Sequence, residues 1–193
     1  MCPEWQIANS DIDFVDNLEM PKFEFYLGLK RMAIIVEDIP TFEYFIDNVQ
    51  KFSKIFLEIT ELKKFIRIGC RIISLYESNS YNDFDYYLRA IEDKFLQDPL
   101  KLDLSHTDLL IKVNHKNGFY QIGPIKKNEP WVQQNFKDFR DEKRLPKNGI
   151  GLDIDSFGTE FEIRREQDLI KTIDSTIKLS KSIEDAVIKS LEL

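Results

Sequence analysis

Two cysteines and two histidines are all that this 193-residue chain contains, and their scarcity excludes chemistry first. Cys2 stands at the N-terminus and Cys70 lies inside an apolar run, which argues against a disulfide between them. A structural zinc site needs three or four Cys or His ligands, so it would have to use Cys2, Cys70, His106 and His115 almost entirely. No stretch approaches the roughly 20 apolar residues of a membrane span, and the opening residues have neither a basic nor an apolar leader segment. We therefore expect a cytoplasmic protein without membrane contact. Also missing are a G-x-S-x-G nucleophile elbow, a phosphate-cradling glycine loop and a sequence neighbour that would orient His106 or His115 for catalysis. Basic residues are outnumbered 34 to 27, and a net charge of −7 argues against a broad nucleic-acid or anionic-lipid surface while leaving room for a local basic patch. With only 7 Gly and 7 Pro, the chain is neither low-complexity nor disordered in composition.

What is present is apolar bulk. Hydrophobic residues make up 42% and include 15 Phe, enough to fill the core of one domain spanning 1–193. Residues 22–37 carry Phe23, Phe25 and Leu27 in alternation and then a denser apolar run, which reads as a hairpin or one bent strand. Pro40 and Thr41 open a helix whose apolar positions Phe45, Val49, Phe52, Ile55 and Phe56 should cover a sheet face. Residues 65–76 form the next strand. Ser80 is placed to cap a helix with the stripe Phe84, Tyr87, Leu88, Ile91 and Phe95. The Asn117-Gly118 pair between apolar runs at 109–113 and 119–125 signals a hairpin. A polar stretch at 126–147 is a short helix or a functional loop, residues 150–161 read as a strand, and 164–193 read as a long closing helix. The fold class expected is α+β, a mainly antiparallel sheet with helices on one face and a long C-terminal helix.

The strand FIRIGCRIISLY is the unusual one, because Arg67 and Arg71 interrupt a run that otherwise reads as buried. A guanidinium in such a place needs a carboxylate, a carbonyl or an anionic ligand. Asp153 and Asp155, two apart in a second strand, share one face, as do Arg67 and Arg71. Neighbouring strands would let the four form a register-fixing ion-pair network. Alternatively, the aspartates hold a divalent cation with Glu160 or Glu162 while the arginines grip an anion, as in metal- or nucleotide-dependent catalysis. In the stretch 126–147, Trp131, Arg140 and Arg144 sit among mixed charges and aromatics. That pattern fits a solvated helix, a partner contact or a weak nucleic-acid contact.

The motif R-x-G-x-R (Arg67, Gly69, Arg71), followed later by the hydrophobic-Asp-hydrophobic-Asp strand at Asp153 and Asp155 and a terminal helix, resembles a sporadically distributed bacterial family with no established activity. The resemblance covers most of residues 25–193 and implies a defence-associated or toxin-neutralising context. We read the chain as a non-enzymatic interaction subunit of a larger complex, with no cofactor or metal. Its partner would be a larger protein, with self-association left open and nucleic acid limited to weak or indirect contact. The candidate contacts are Trp131, Arg140, Arg144 and the helical edge Ile177, Ile183, Val187 and Leu191; Arg67, Arg71, Asp153 and Asp155 form a scaffold or anion site.

Overall fold

The computed structural model describes residues 4–8, 11–16, 22–27, 32–37, 39–60, 62–78, 83–96, 109–136 and 145–191. The protein is α+β, built on antiparallel sheets and closed by a long helix. It packs as two compact units, Met1–Glu61 and Leu62–Leu193.

The first unit contains a four-stranded antiparallel meander of β1 (Glu4–Ala8), β2 (Asp11–Asp16), β3 (Lys22–Leu27) and β4 (Met32–Glu37). The segment 22–37 is thus a hairpin, with Leu27 opposite Met32. Helix α1 (Phe42–Thr60) starts where Thr41 Oγ1 accepts a hydrogen bond from the Tyr44 amide at 3.1 Å. Its buried positions are Val49, Ser53 and Phe56, spaced by four and three, and the Ser53 hydroxyl donates back to the Val49 carbonyl. Ile55, expected on that face, lies one residue and about 100° away from Phe56 on the helical wheel, and is half exposed.

In the second unit a four-stranded sheet has the order β5-β8-β7-β6, antiparallel throughout. Its strands are β5 (Lys64–Tyr76), β6 (Ile111–His115), β7 (Gly118–Lys126) and β8 (Asn148–Glu162). Alternation sorts the residues of β8: Ile150, Leu152 and Ile154 enter the core, while Asp153 and Asp155 point to the other side. Two helices, α2 (Phe84–Phe95) and α4 (Glu166–Leu191), supply Tyr87, Ile91, Val187 and Leu191 to the same core. The stripe expected for α2 is buried at Phe84, Tyr87, Leu88 and Ile91. Its N-cap is Asp83, whose carboxylate accepts from the Asp85 amide; Ser80 lies outside the described residues. Cap identity follows from where the apolar period starts, and Phe84 is its first buried position.

The β6–β7 turn consists of Lys116 and Asn117, with His115 opposite Gly118. Gly118 has φ 148°, and a Cβ there would lie 1.9 Å from the Asp155 carbonyl, so close strand approach demands glycine. From the stretch 126–147 the described part includes α3 (Pro130–Asn135). Trp131 packs with Ile125, Val132, Leu145 and Leu75, and a Cβ on Gly151 would lie 2.8 Å from its ring. This short helix therefore caps one end of the sheet face opposite α2 and α4.

Candidate functional site

The face of the second sheet opposite α2 and α4 carries Arg67, Gly69 and Arg71 from β5, Asp153, Asp155 and Phe157 from β8, Phe119 and Gln121 from β7, and Lys112 from β6. Its pairing is staggered. Arg71 stands opposite Asp155 but reaches one pleat further to Asp153, donating Nε to Oδ1 at 2.8 Å and Nη2 to Oδ2 at 2.7 Å. Arg67, opposite Thr159, passes over Gly69 and donates Nη2 to Asp155 Oδ2 at 2.5 Å. On that path its guanidinium lies over the Phe157 ring, 4.3 Å from the centroid. A Cβ on Gly69 would meet Phe157 Cβ and the Ser156 carbonyl at 3.1 Å, so the central glycine of R-x-G-x-R lets the first arginine cross.

Burial is unequal within each pair. The Asp153 side chain is 2% exposed and that of Asp155 15%, whereas Arg67 and Arg71 remain 50% and 53% exposed. The hydrogen bonds that Arg71 donates to Asp153 hold its guanidinium above even the ordinary arginine range, although partial burial opposes this. Asp153 is a buried anchor and Asp155 a partly buried one, and each guanidinium presents an outer edge: Arg71 keeps Nη1, and Arg67 keeps Nε and Nη1, without an acceptor among the described residues.

The third oxygen of a metal site is not brought to this pair. Glu160 takes a left-handed φ of 60°, which interrupts the strand's alternation beyond Asp155, and Glu162 is exposed with Arg164 as its neighbour at 3.7 Å. Among the described residues no three His, Cys, Asp or Glu side chains converge as metal ligands. His115 accepts from the Asn117 amide through Nδ1 at 3.3 Å, and its Nε2 is buried without a partner. Burial pushes the Cys70 thiol up to about 11 against the opposing hydrogen bond with Ser180, so it is an inert core group. His106, Cys2, Arg140 and Arg144 lie outside the described residues.

The helical edge named above as a partner contact is a correction. Ile177, Val187 and Leu191 are buried at 2%, 6% and 3% exposure, and Ile183 packs against the same core. The apolar stripe of α4 covers the protein's own sheet, with Ile183 partly buried at its margin. Trp131, likewise named, is half-buried in the α3 cluster with Phe136 at 6.0 Å.

One polar centre escaped the sequence. Glu184 on α4 is 5% exposed, and its Oε1 accepts from Ser74 Oγ and Tyr76 Oη at 2.5 Å each while Lys181 Nζ donates to Oε2 at 2.8 Å. Burial and the adjacent carboxylate push the Tyr76 hydroxyl well above its usual range. The spacing held a signal: Glu184 is seven residues from both Ile177 and Leu191, hence in the apolar stripe. No helix among the described residues is long and apolar enough to cross a membrane. No protein-family model, curated protein or solved structure matches the chain.

Proposed function

We propose that this protein is a non-enzymatic interaction subunit of a cytoplasmic multi-protein complex, and that it docks its partner on the paired-arginine side of the second sheet. The observation that carries this reading is the inequality of the ion pairs: a buried and a partly buried carboxylate fix two guanidiniums whose outer halves stay exposed. Preorganised arginines of this kind are favoured at protein interfaces, because little side-chain entropy is lost on contact. The core-bound stripe of α4 moves the expected contact from the terminal helix to this side.

The test is recovery of the complex from the native host with tagged wild-type chain and with Arg67→Glu, followed by intact mass measurement. We expect a stoichiometric partner with the wild type that is lost with a variant of matching circular dichroism whose thermal midpoint falls by only a few degrees. A monodisperse monomer without partner, or unchanged recovery by the folded variant, overturns the proposal.

A further inference from the structure

Among the described residues, the side just described ends at an edge strand. β5 is the outermost strand of the order β5-β8-β7-β6 and runs for 13 residues, Lys64–Tyr76. Long edge strands are normally shortened, bulged or interrupted by proline, because their unpaired amides and carbonyls accept a further strand. β5 is neither short nor interrupted by proline, so its protection against unspecific pairing is its cations, and Lys64, Ile66, Arg67, Gly69 and Arg71 are exposed, Ile66 at 87%. Its charges have one sign: Lys64, Arg67 and Arg71 are the charged residues of the strand, in a chain that is acidic overall.

Resting on the interaction reading above, we infer that the outer edge of β5 takes up an extended segment of the partner as an added strand, with acidic side chains four residues apart meeting Arg67 and Arg71. Strand geometry sets that spacing. At about 3.3 Å per residue, residues four apart lie about 13 Å apart on one face, whereas residues three apart face opposite sides. Backbone pairing supplies affinity and the two carboxylates supply register. Charge disfavours a second copy as the occupant: antiparallel self-pairing centred on Gly69 sets Arg67 across from Arg71 of the copy, and like charges directly opposite destabilise a sheet. Single-stranded nucleic acid is disfavoured because its backbone has no alternating amides and carbonyls to pair with a strand edge.

The probe is a labelled threonine-rich peptide with two glutamates four apart, titrated against the full chain by fluorescence anisotropy. A peptide of the same composition with glutamates three apart is the control. Expected are about tenfold tighter binding of the first peptide, loss of that preference in Arg67→Glu, and slowed hydrogen exchange at alternate amides of β5. Equal affinity for the two peptides, protection absent from β5, self-association of the free chain, or tighter uptake of oligothymidylate that falls steeply with salt each overturns the inference. If the peptide fails while Arg67→Glu still loses the cellular partner, strand addition is wrong and the interaction reading survives; if the variant retains that partner, the interaction reading fails as well.

Discussion

Removing the exposed member of the Arg71–Asp153 pair should be worse for stability than removing the buried one. In Arg71→Ala the carboxylate of Asp153, 1% exposed, loses both hydrogen bonds at 2.7 and 2.8 Å and keeps only a long contact of 3.5 Å from Gln121 Nε2. An uncompensated buried charge of this kind costs about 3–5 kcal/mol. In Asp153→Ala the buried charge and its desolvation penalty disappear together. Arg71, already 53% exposed, turns to water, so only the net value of a charge-assisted pair is lost, about 1–2 kcal/mol after screening. The double variant should then lie close to Asp153→Ala, so the coupling should equal the cost of Arg71→Ala alone, about 3–5 kcal/mol. Urea unfolding midpoints at constant m-value measure all three. Asp153→Ala costing as much as Arg71→Ala, or additive single effects, would refute the account of buried anchor and exposed edge. Arg67→Ala provides the internal control: Asp155 is less buried, and the loss should stay near 1 kcal/mol.

Gly118→Ala should destabilise by more than about 3 kcal/mol, or prevent folding, because the added Cβ meets the Asp155 carbonyl at a left-handed φ; thermal unfolding reports it. Cys70 has its thiol raised from 9.0 to about 11, so the stability it contributes is fully present below pH 9 and is lost as pH rises towards 11, by at most about 3 kcal/mol, as the unfolded thiol ionises first. Unfolding free energies across that window should fall, and fall less in Cys70→Ala. Around Glu184, Tyr76→Phe removes one of several donors and should cost about 1 kcal/mol, whereas Glu184→Leu leaves the Ser74 and Tyr76 hydroxyls without their acceptor and should cost about 3 kcal/mol by urea denaturation.

Periodicity carried most of the second unit, since β5, β8, the α2 stripe and the length of α4 all follow from apolar spacing over segments of 12 or more residues. The pairs β1 and β2 left no comparable mark. Their strands are five and six residues long, and EWQIA and DIDFVD alternate too briefly to separate a strand from a turn. The ion pairs were half legible for a related reason. Shared faces follow from a period of two, but the stagger of Arg71 to Asp153 depends on register and on which position lacks a side chain, and both are tertiary facts.

The role of α4 was misplaced because an apolar stripe says that a helix is covered and not by what. Ile177, Val187 and Leu191 would have the same spacing against a partner or against β8. Glu184 decides between the two. A carboxylate at the centre of that stripe is tolerated only where donors are fixed to meet it, and Ser74 and Tyr76, two apart on one face of β5, are fixed by their own sheet. The same alternation that points Ser74 and Tyr76 inward to Glu184 points Arg67 and Arg71 outward. One strand therefore anchors the terminal helix on one side and presents its cations on the other, and substitutions at Ser74 should loosen α4 without changing what the arginines offer.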